Sequence, residues 1–507
     1  MSVDKNKSHR TTVSLSEETK VKETGGEKSE CLHSTVETGE PSRGTRRREG
    51  GHRVMEPGEG NHSGRPSSTE WKTGLNWVAE IARRYPEQPI TTLGKYITVD
   101  LLRDSFRKTR KKGAPGVDKQ TWRDYLQDLE SNLEDLHGRI RSGSYRAPPV
   151  RRVYIPKGGG KKRPIGIPTL EDKVYQRAVV MVLEQIYEQE FLDCSYGFRP
   201  DRGAHQALQA VRNAVMDMRG GVVVEVDIKS FFDCLDHGEL RRFLDIRVRD
   251  GEIRRAIDKW LKAGVLEHGQ VRRSSAGTPQ GGVISPLLAN IYLHYVLDEW
   301  FETEVKPRLS GPCTLVRYAD DVVIVCSLAR DARRVMGVLP KRFNRFGLDL
   351  HPDKTRMISF RRPSKGKDKG GGGKGGPGAF TFLGMTHHWG KSRRGNWVVR
   401  QKTASSAFRR VVTVIGEWLM ETRHLKVREV HRQLTVKLQS HDGYYGITGN
   451  YRAISRIRQY IRRCWIKALL RRNRTRTMTW KRFNILLAAY PMPRPKIKHV
   501  YGNAASP

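Results

Sequence analysis

No run of 18 or more apolar residues occurs anywhere in the 507-residue chain, so nothing in it reads as a membrane span. The first 30 residues hold no apolar h-region, so no signal peptide is expected. The 12 acidic side chains among residues 1–70 argue against a transit peptide, which is acid-poor. Six cysteines, at 31, 194, 234, 313, 326 and 464, stand singly with no C-x-x-C pair. That spacing offers no zinc module and predicts buried thiols in a reducing compartment. Residues 1–70 have almost no large apolar side chains, cannot bury enough surface to offset ordering entropy, and read as a disordered leader. No internal repeat is present.

Acid is also scarce where base is plentiful. The chain carries 94 Lys plus Arg against 54 Asp plus Glu, a formal charge of +40. Residues 1–70 hold 12 of each sign and contribute nothing net. Residues 401–507 hold 23 basic and 4 acidic side chains, and the stretch between supplies the remaining +21. The part expected to fold is strongly basic, which calls for a polyanionic partner and favours nucleic acid over a membrane surface. The expectation is a soluble, cytoplasmic, nucleic-acid-associated protein.

Between Trp71 and the basic end, the pattern is mixed α/β. Lys112–Gly116 (KGAPG) breaks any helix, and residues 362–379, with eight glycines, read as a flexible loop. GVVVEVD at Gly221–Asp227 is a short β-branched run, expected as a strand buried on both faces. LVRYADDVVIVC at Leu315–Cys326 reads as a hairpin with its acids at the bend. Asp172–Phe191 and Leu287–Val305 have helical spacing, the second just after Pro286. Strands carrying acids, interleaved with helices, predict an α+β, palm-like sheet.

A carboxylate beside an apolar run is expensive unless paired or metal-bound. If the two elements are neighbours in one sheet, Asp227 and Asp320 face each other at its rim. Close carboxylates repel, and a divalent cation is the usual remedy. Two Mg²⁺ about 3.5–4 Å apart suit phosphoryl transfer. The plainer alternative, a surface turn at Asp320–Asp321 and a helix cap at Asp227, is left open by spacing alone.

Tyr318-Ala319-Asp320-Asp321 resembles the reverse-transcriptase signature Y-A-D-D, and Asp227–Asp233 (DIKSFFD) resembles that family's first metal motif. Gly277–Pro286 (GTPQGGVISP) and Arg163–Pro168 (RPIGIP) resemble the forms found in group II intron reverse transcriptases, or maturases. The ordered agreement runs from about Ala114 to Lys498. It implies a right-hand fingers and palm with an antiparallel palm sheet, followed by a helical thumb and maturase domain. The implied division is 1–70 leader, 71–392 fingers and palm, and 393–507 thumb and maturase.

The resemblance also implies roles. Asp227, Asp320 and Asp321 would be catalytic and hold two Mg²⁺ ions, or Mn²⁺ in their place, with the Ile228 carbonyl as a further ligand. Phe232 would be the gate against a ribose 2′-OH, and Gln280 would touch the incoming nucleotide; an ordinary core Phe and a plain helix-start residue are their alternatives. Lys157 and Arg163 would close over the triphosphate from a Gly-rich finger tip, or would hold the template backbone. Lys354 sits where relatives place a general acid for pyrophosphate, or is a solvated lysine. Phe382-Leu383-Gly384 resembles the primer grip, where glycine lets backbone approach the primer. Tyr196–Pro200 (YGFRP) resembles another family block, whose Arg199 either contacts template or pairs with an acid in the core.

Residues 451–473 hold eight Arg or Lys and no acid, with Ile454, Ile457, Ile461, Trp465 and Leu469 on one face. Such a helix repels itself unless phosphate lies alongside, and Arg456, Arg462, Arg463, Arg471 and Arg472 are its candidate contacts. Gly443–Asn450 and Trp480–Lys498 resemble further maturase blocks. The zinc-supported H-N-H endonuclease of some relatives has no counterpart in the cysteine pattern, so second-strand target cleavage is not expected. The expected protein is a group II intron-encoded RNA-directed DNA polymerase that binds its intron RNA and assists splicing and retrohoming. Its implied partners are intron RNA, a DNA target and primer strand, and dNTPs. A reverse transcriptase of a defence, retron-like or diversity-generating class, or a maturase without polymerase activity, are the alternatives.

Overall fold

The computed structural model describes residues 70–157, 161–267, 270–272, 277, 281–363, 378–472 and 478–500. The leader and most of the Gly-rich stretch lie outside the described residues, as do Gln280 and the Lys157 side chain.

In chain order, β1 (Val150–Lys157) and β2 (Lys161–Ile167) form an antiparallel hairpin. β3 (Gly220–Asp227) follows the Ala204–Asp217 helix. β4 (Val265–Glu267) and β5 (Gln270–Arg272) extend the β1–β2 sheet. β6 (Cys313–Tyr318), β7 (Asp321–Cys326) and β8 (Arg356–Arg361) join β3 in a four-stranded sheet of order β6-β7-β3-β8. Every neighbouring pair in that sheet is antiparallel. β9 (Phe380–Phe382), β10 (Met385–Lys391) and β11 (Trp397–Thr403) make a separate three-stranded sheet. The α+β architecture and the antiparallel palm sheet are as expected.

The palm strands read as unbroken apolar runs because both faces of the sheet are covered. Val222, Val224, Val226, Val322 and Ile324 point into the large core shared with the Leu170–Glu190 helix. Their alternates Val223, Val323 and Val325 join Phe360, Phe380 and Trp389 in a second core under the small sheet. The two-residue period of a strand sorts one run into two cores. The Leu170–Glu190 helix is capped by Thr169, whose side chain accepts from the Asp172 N–H at 3.2 Å. The helix begun at Ser285, with Pro286 in its first turn, continues through two π-helical stretches, His294–Asp298 and Phe301–Val305.

Two expectations need adjustment. β10 and β11 pair along their whole length across residue 393, so the helical part begins at Ser405. Cys313 and Cys326 oppose each other in β6 and β7, with Cα atoms 4.3 Å apart, and are joined as a disulfide. The reading of six separate thiols fails there because cross-strand opposition, not sequence spacing, brings the pair together.

The C-terminal helices, Ser405–Glu421, Val427–Tyr445, Tyr451–Arg472 and Trp480–Ala489, pack around a third core. Ile457, Ile461, Trp465 and Leu469 from the Tyr451–Arg472 helix lie within it. The apolar face read from the sequence is the buried one.

Candidate active site

β3 and β7 run antiparallel in a register that sets Asp227 directly opposite Asp321. β6 and β7 are joined by a two-residue turn, Ala319–Asp320, closed by the pair Tyr318↔Asp321. Asp320 therefore occupies the turn, and the carboxylate facing Asp227 across the sheet is Asp321; the expected Asp227–Asp320 opposition is corrected by one residue. Directly opposed strand residues lie about 4.5–5.5 Å apart at Cα, so three carboxylates gather at one rim.

The electrostatics are those of a crowded anionic cluster. Asp321 keeps surface exposure as a residue, yet loss of water around its carboxyl, with repulsion from Asp320 and Asp227, pushes its pKa up to about 6 against the pull of Lys354. The Lys354 ammonium donates to both Asp227 oxygens, at 3.1 and 3.0 Å. Its loop is fastened to the end of β3: the His351 N–H donates to the Asp227 carbonyl at 2.8 Å, and the Asp227 N–H to Thr355 Oγ1 at 3.3 Å. The bridge between Ile228 and Leu350 uses the Asp227 carbonyl and the Lys229 N–H, not the Ile228 carbonyl. Oxygen donors that repel one another fit a hard divalent cation. Among the described residues, no three His, Cys, Asp or Glu side chains already converge as a ligand shell.

The Y-A-D-D turn rests on a buried polar network that the sequence did not disclose. Arg317 is fully buried and donates to Asp298, to Asn290 Oδ1 at 2.8 Å, to Ser195 Oγ at 2.7 Å and to the Ala319 carbonyl at 3.2 Å. Asp298 comes from the first π-helical stretch and Asn290 from the helix before it. Gly197 lies against the turn so closely that a Cβ there would sit 2.4 Å from the Ala319 nitrogen. Ala319 itself is left-handed, with φ of +56°. The arginine immediately before the tyrosine was the available signal.

The same block corrects Arg199. Its guanidinium is buried, pairs with Glu188 at 2.9 Å, and donates to the Leu192 and Ser195 carbonyls at 2.9 and 3.0 Å. A guanidinium so committed has little left for a template phosphate, so Y-G-F-R-P buttresses the hairpin from behind.

A cavity of about 310 Å³ opens beside Asp227, Asp321, Lys354 and Phe382–Leu383. Leu383 and Gly384, with φ of +48° and +73°, form the tight turn between β9 and β10. The Tyr444 hydroxyl donates to the Leu383 carbonyl at 2.8 Å, tying that turn to the helical part. Phe382 is buried. Phe232 lies in the helical turn Phe231–Cys234, 9% exposed and edge-on to Phe231 at 5.3 Å. Arg163 is exposed on β2, opposite Ile155 of β1.

The flanks of Gln280 are pinned. The Gly277 N–H donates to the Leu235 carbonyl at 2.8 Å, and Gln176 Oε1 accepts from the Val283 N–H at 2.8 Å. A second cavity of about 310 Å³ lies between the KGAPG turn, the RPIGIP strand and Gly281. Lys108, Arg110, Lys173 and Arg177 line it together with Trp122, and among the described residues no acidic one does.

The Tyr451–Arg472 helix sorts its arginines. Arg452, Arg456, Arg463, Lys467 and Arg471 are exposed, at steps of four or seven residues that put them on one face. Arg458 is buried on Asp442 at 2.7 Å. Arg462 is half-buried and donates to Asn484 at 3.1 Å, and Arg472 is exposed and donates to the Leu425 carbonyl at 3.1 Å. Of the expected phosphate contacts, Arg456, Arg463 and Arg471 share the open face, while Arg462 and Arg472 are engaged internally.

Residues 155–387 match the family model described as reverse transcriptase (RNA-dependent DNA polymerase). Protein YkfC of Escherichia coli (strain K12) is 44% identical over 282 residues, covering 49% of this chain and 74% of that protein. The group II intron-encoded protein LtrA of Lactococcus lactis subsp. cremoris is 46% identical over 166 residues, 32% of this chain and 27% of LtrA. Nuclear intron maturase 2, mitochondrial, of Arabidopsis thaliana is 29% identical over 174 residues, 27% of this chain and 24% of that protein.

Proposed function

Because this chain belongs to the reverse transcriptase (RNA-dependent DNA polymerase) family, we propose that it extends a DNA primer along an RNA template at the Asp227–Asp320–Asp321 rim. We read it further as the product of a group II intron whose RNA it binds and helps to splice. The observation that carries the polymerase reading is the β3–β7 register, which gathers the carboxylates beside the cavity lined by Lys354 and Phe382–Leu383. Likeness to LtrA and to an intron maturase supports the second part.

The family uses divalent metal ions, and Mg²⁺ is the fit for all-oxygen donors that leave room for substrate phosphates. Asp227, Asp320 and Asp321, with the Ile228 carbonyl, would hold it. When bound, the ions supply charge neutralisation at the attacking 3′-oxygen and the departing pyrophosphate. The rest falls to the chain's own side chains. Lys354 Nζ holds the proton for the pyrophosphate oxygen. Phe232 sets a ring where a ribose 2′-OH would project, and Gln280 contacts the incoming nucleotide. Lys157 and Arg163 bring cations to its triphosphate. The Leu383–Gly384 turn meets the primer end, and the basic cavity around Trp122 suits unpaired template. The exposed cations of the Tyr451–Arg472 helix suit RNA phosphate.

Splicing assistance needs no carboxylate from the protein, because binding energy alone stabilises folded RNA. Two assays on the purified chain test both halves. The expected results are DNA synthesis on RNA template with Mg²⁺ and dNTPs, and faster splicing of the flanking intron RNA. Synthesis by Phe232→Ala should accept ribonucleotides more readily; unchanged sugar preference removes Phe232 as the gate. Absence of DNA synthesis from folded, RNA-binding protein contradicts the polymerase reading.

A further inference from the structure

Resting on that polymerase reading, we infer that Glu225 is a positioning residue that sets where the primer end meets the carboxylate rim. Glu225 lies two residues before Asp227 on β3, so the two side chains leave the same face of the strand. Both line the cavity that also holds Leu383. The Glu225 carboxylate is largely enclosed, with 13% of its side chain exposed, and both its oxygens are committed. Oε2 accepts from Arg356 Nε of β8 at 2.6 Å. Oε1 accepts from the Thr381 backbone N–H of β9 at 3.1 Å.

The second bond is the informative one. β9 and β10 meet at the pair Phe382↔Met385, closed by the two-residue turn Leu383–Gly384. Bonding alternates along an antiparallel ladder, so the next pair, Thr381↔Thr386, is a wide one whose N–H groups point away from the partner strand. The Thr381 N–H is therefore an open-edge donor on a strand that, among the described residues, pairs only with β10. Glu225 meets it from the strand that ends in Asp227.

Among the described residues, the small sheet and the palm sheet share no strand pairing. Their other links are the shared apolar core, where Phe380, Phe382, Met385 and Trp389 meet Val223, Val323 and Phe360, and a Trp389 Nε1 bond to the Phe360 carbonyl at 3.2 Å. The Trp389 bond lies toward the Gly220 end of β3, since Phe360 is paired with Gly221. Of these two polar ties, the Glu225–Thr381 bond is the one nearer Asp227. Without it, the Leu383–Gly384 turn keeps its own geometry but loses its polar tie to the strand that ends in Asp227, and a misplacement of about 1 Å can slow a reaction about 100-fold.

Glu225→Ala and Glu225→Gln test this, because the Gln amide oxygen can still accept from Thr381 whereas Ala cannot. The expectation for Glu225→Ala is a kcat for primer extension lowered by about 10- to 100-fold, with primer–template affinity by fluorescence anisotropy within about twofold. Glu225→Gln should recover most of kcat. Hydrogen exchange of the Phe380–Gly384 segment, which needs no catalysis, should be faster in Glu225→Ala and near wild type in Glu225→Gln. Unchanged exchange in Glu225→Ala overturns the tether, whatever the activity. Faster exchange with unchanged kcat overturns the positioning role. Wild-type protein inert in extension overturns the polymerase reading instead, while the exchange result still decides the tether.

Discussion

The palm and the C-terminal helices use arginine in opposite ways. In and behind the palm, Arg199 and Arg317 are buried, each held by a carboxylate and by backbone or side-chain oxygens. In the Tyr451–Arg472 helix only Arg458 is held like that, on Asp442, while Arg452, Arg456, Arg463 and Arg471 are exposed along one face. A buried guanidinium must be paired, and removing its partner or itself strands a charge. An exposed row of one sign is tolerable in water but gains most beside a polyanion. The palm is thus built to hold its anions in place, and the helical part to meet anions from outside.

The sharpest way to break this comparison is at the rim. Asp227→Ala should lower extension by about 10²–10³-fold or more, the scale of losing one charge-stabilising group. Its affinity for RNA should stay within about twofold, measured by anisotropy. Joint loss of both would mean that the two regions do not have separate duties. The next effect is on stability. Arg317→Met leaves Asp298 buried and uncompensated, and should destabilise the fold by about 3–5 kcal/mol in urea unfolding. The double change with Asp298→Leu should recover a large part of that.

Neutralising Arg452, Arg456, Arg463 and Arg471 together should leave urea midpoints nearly unchanged. It should reduce the log–log salt slope of RNA binding by about 0.7–0.9 for each phosphate that the helix ceases to neutralise. Arg458→Gln should do the reverse, lowering stability with little change in slope. An unaltered slope in the fourfold variant would mean that the exposed face meets something other than phosphate.

The smallest effect is in the fingers. Asp172 is buried at the start of the Leu170–Glu190 helix, where it accepts from the Tyr145 hydroxyl. Burial pushes its carboxyl up to about 7, from 3.8 in solvent. The folded chain holds that proton more tightly than the unfolded one. Its contribution to stability is therefore full below pH 3.8 and is lost as pH rises through about 7. Asp172→Asn should flatten that slope and raise Tm at pH 8 by about 2–4 °C, read by calorimetry across the pH range.

How much of this was legible from residues alone follows the same division. The strands Gly220–Asp227 and Cys313–Cys326 were readable because apolar runs covered on both faces leave an unmistakable pattern. The rim acids were readable as a group, but not the partner of Asp227. Register depends on the turn holding only Ala319 and Asp320, and a one-residue slip is invisible in the letters D-D. Arg199 was ambiguous because its acid, Glu188, lies 11 residues away on the preceding helix. Within the basic helix, composition could not separate Arg458 from Arg463; only the packing of the neighbouring helix does. Glu225 drew no notice, since its partners Arg356 and Thr381 lie 131 and 156 residues downstream.

The most direct test is primer extension by the purified chain on an RNA template, with Mg²⁺ and dNTPs, beside Asp320→Ala. Extension by the wild type and none by the variant, with both proteins folded and both binding RNA, is the predicted result. Equal extension by the two, or none by either, contradicts the assignment of DNA synthesis to the palm rim.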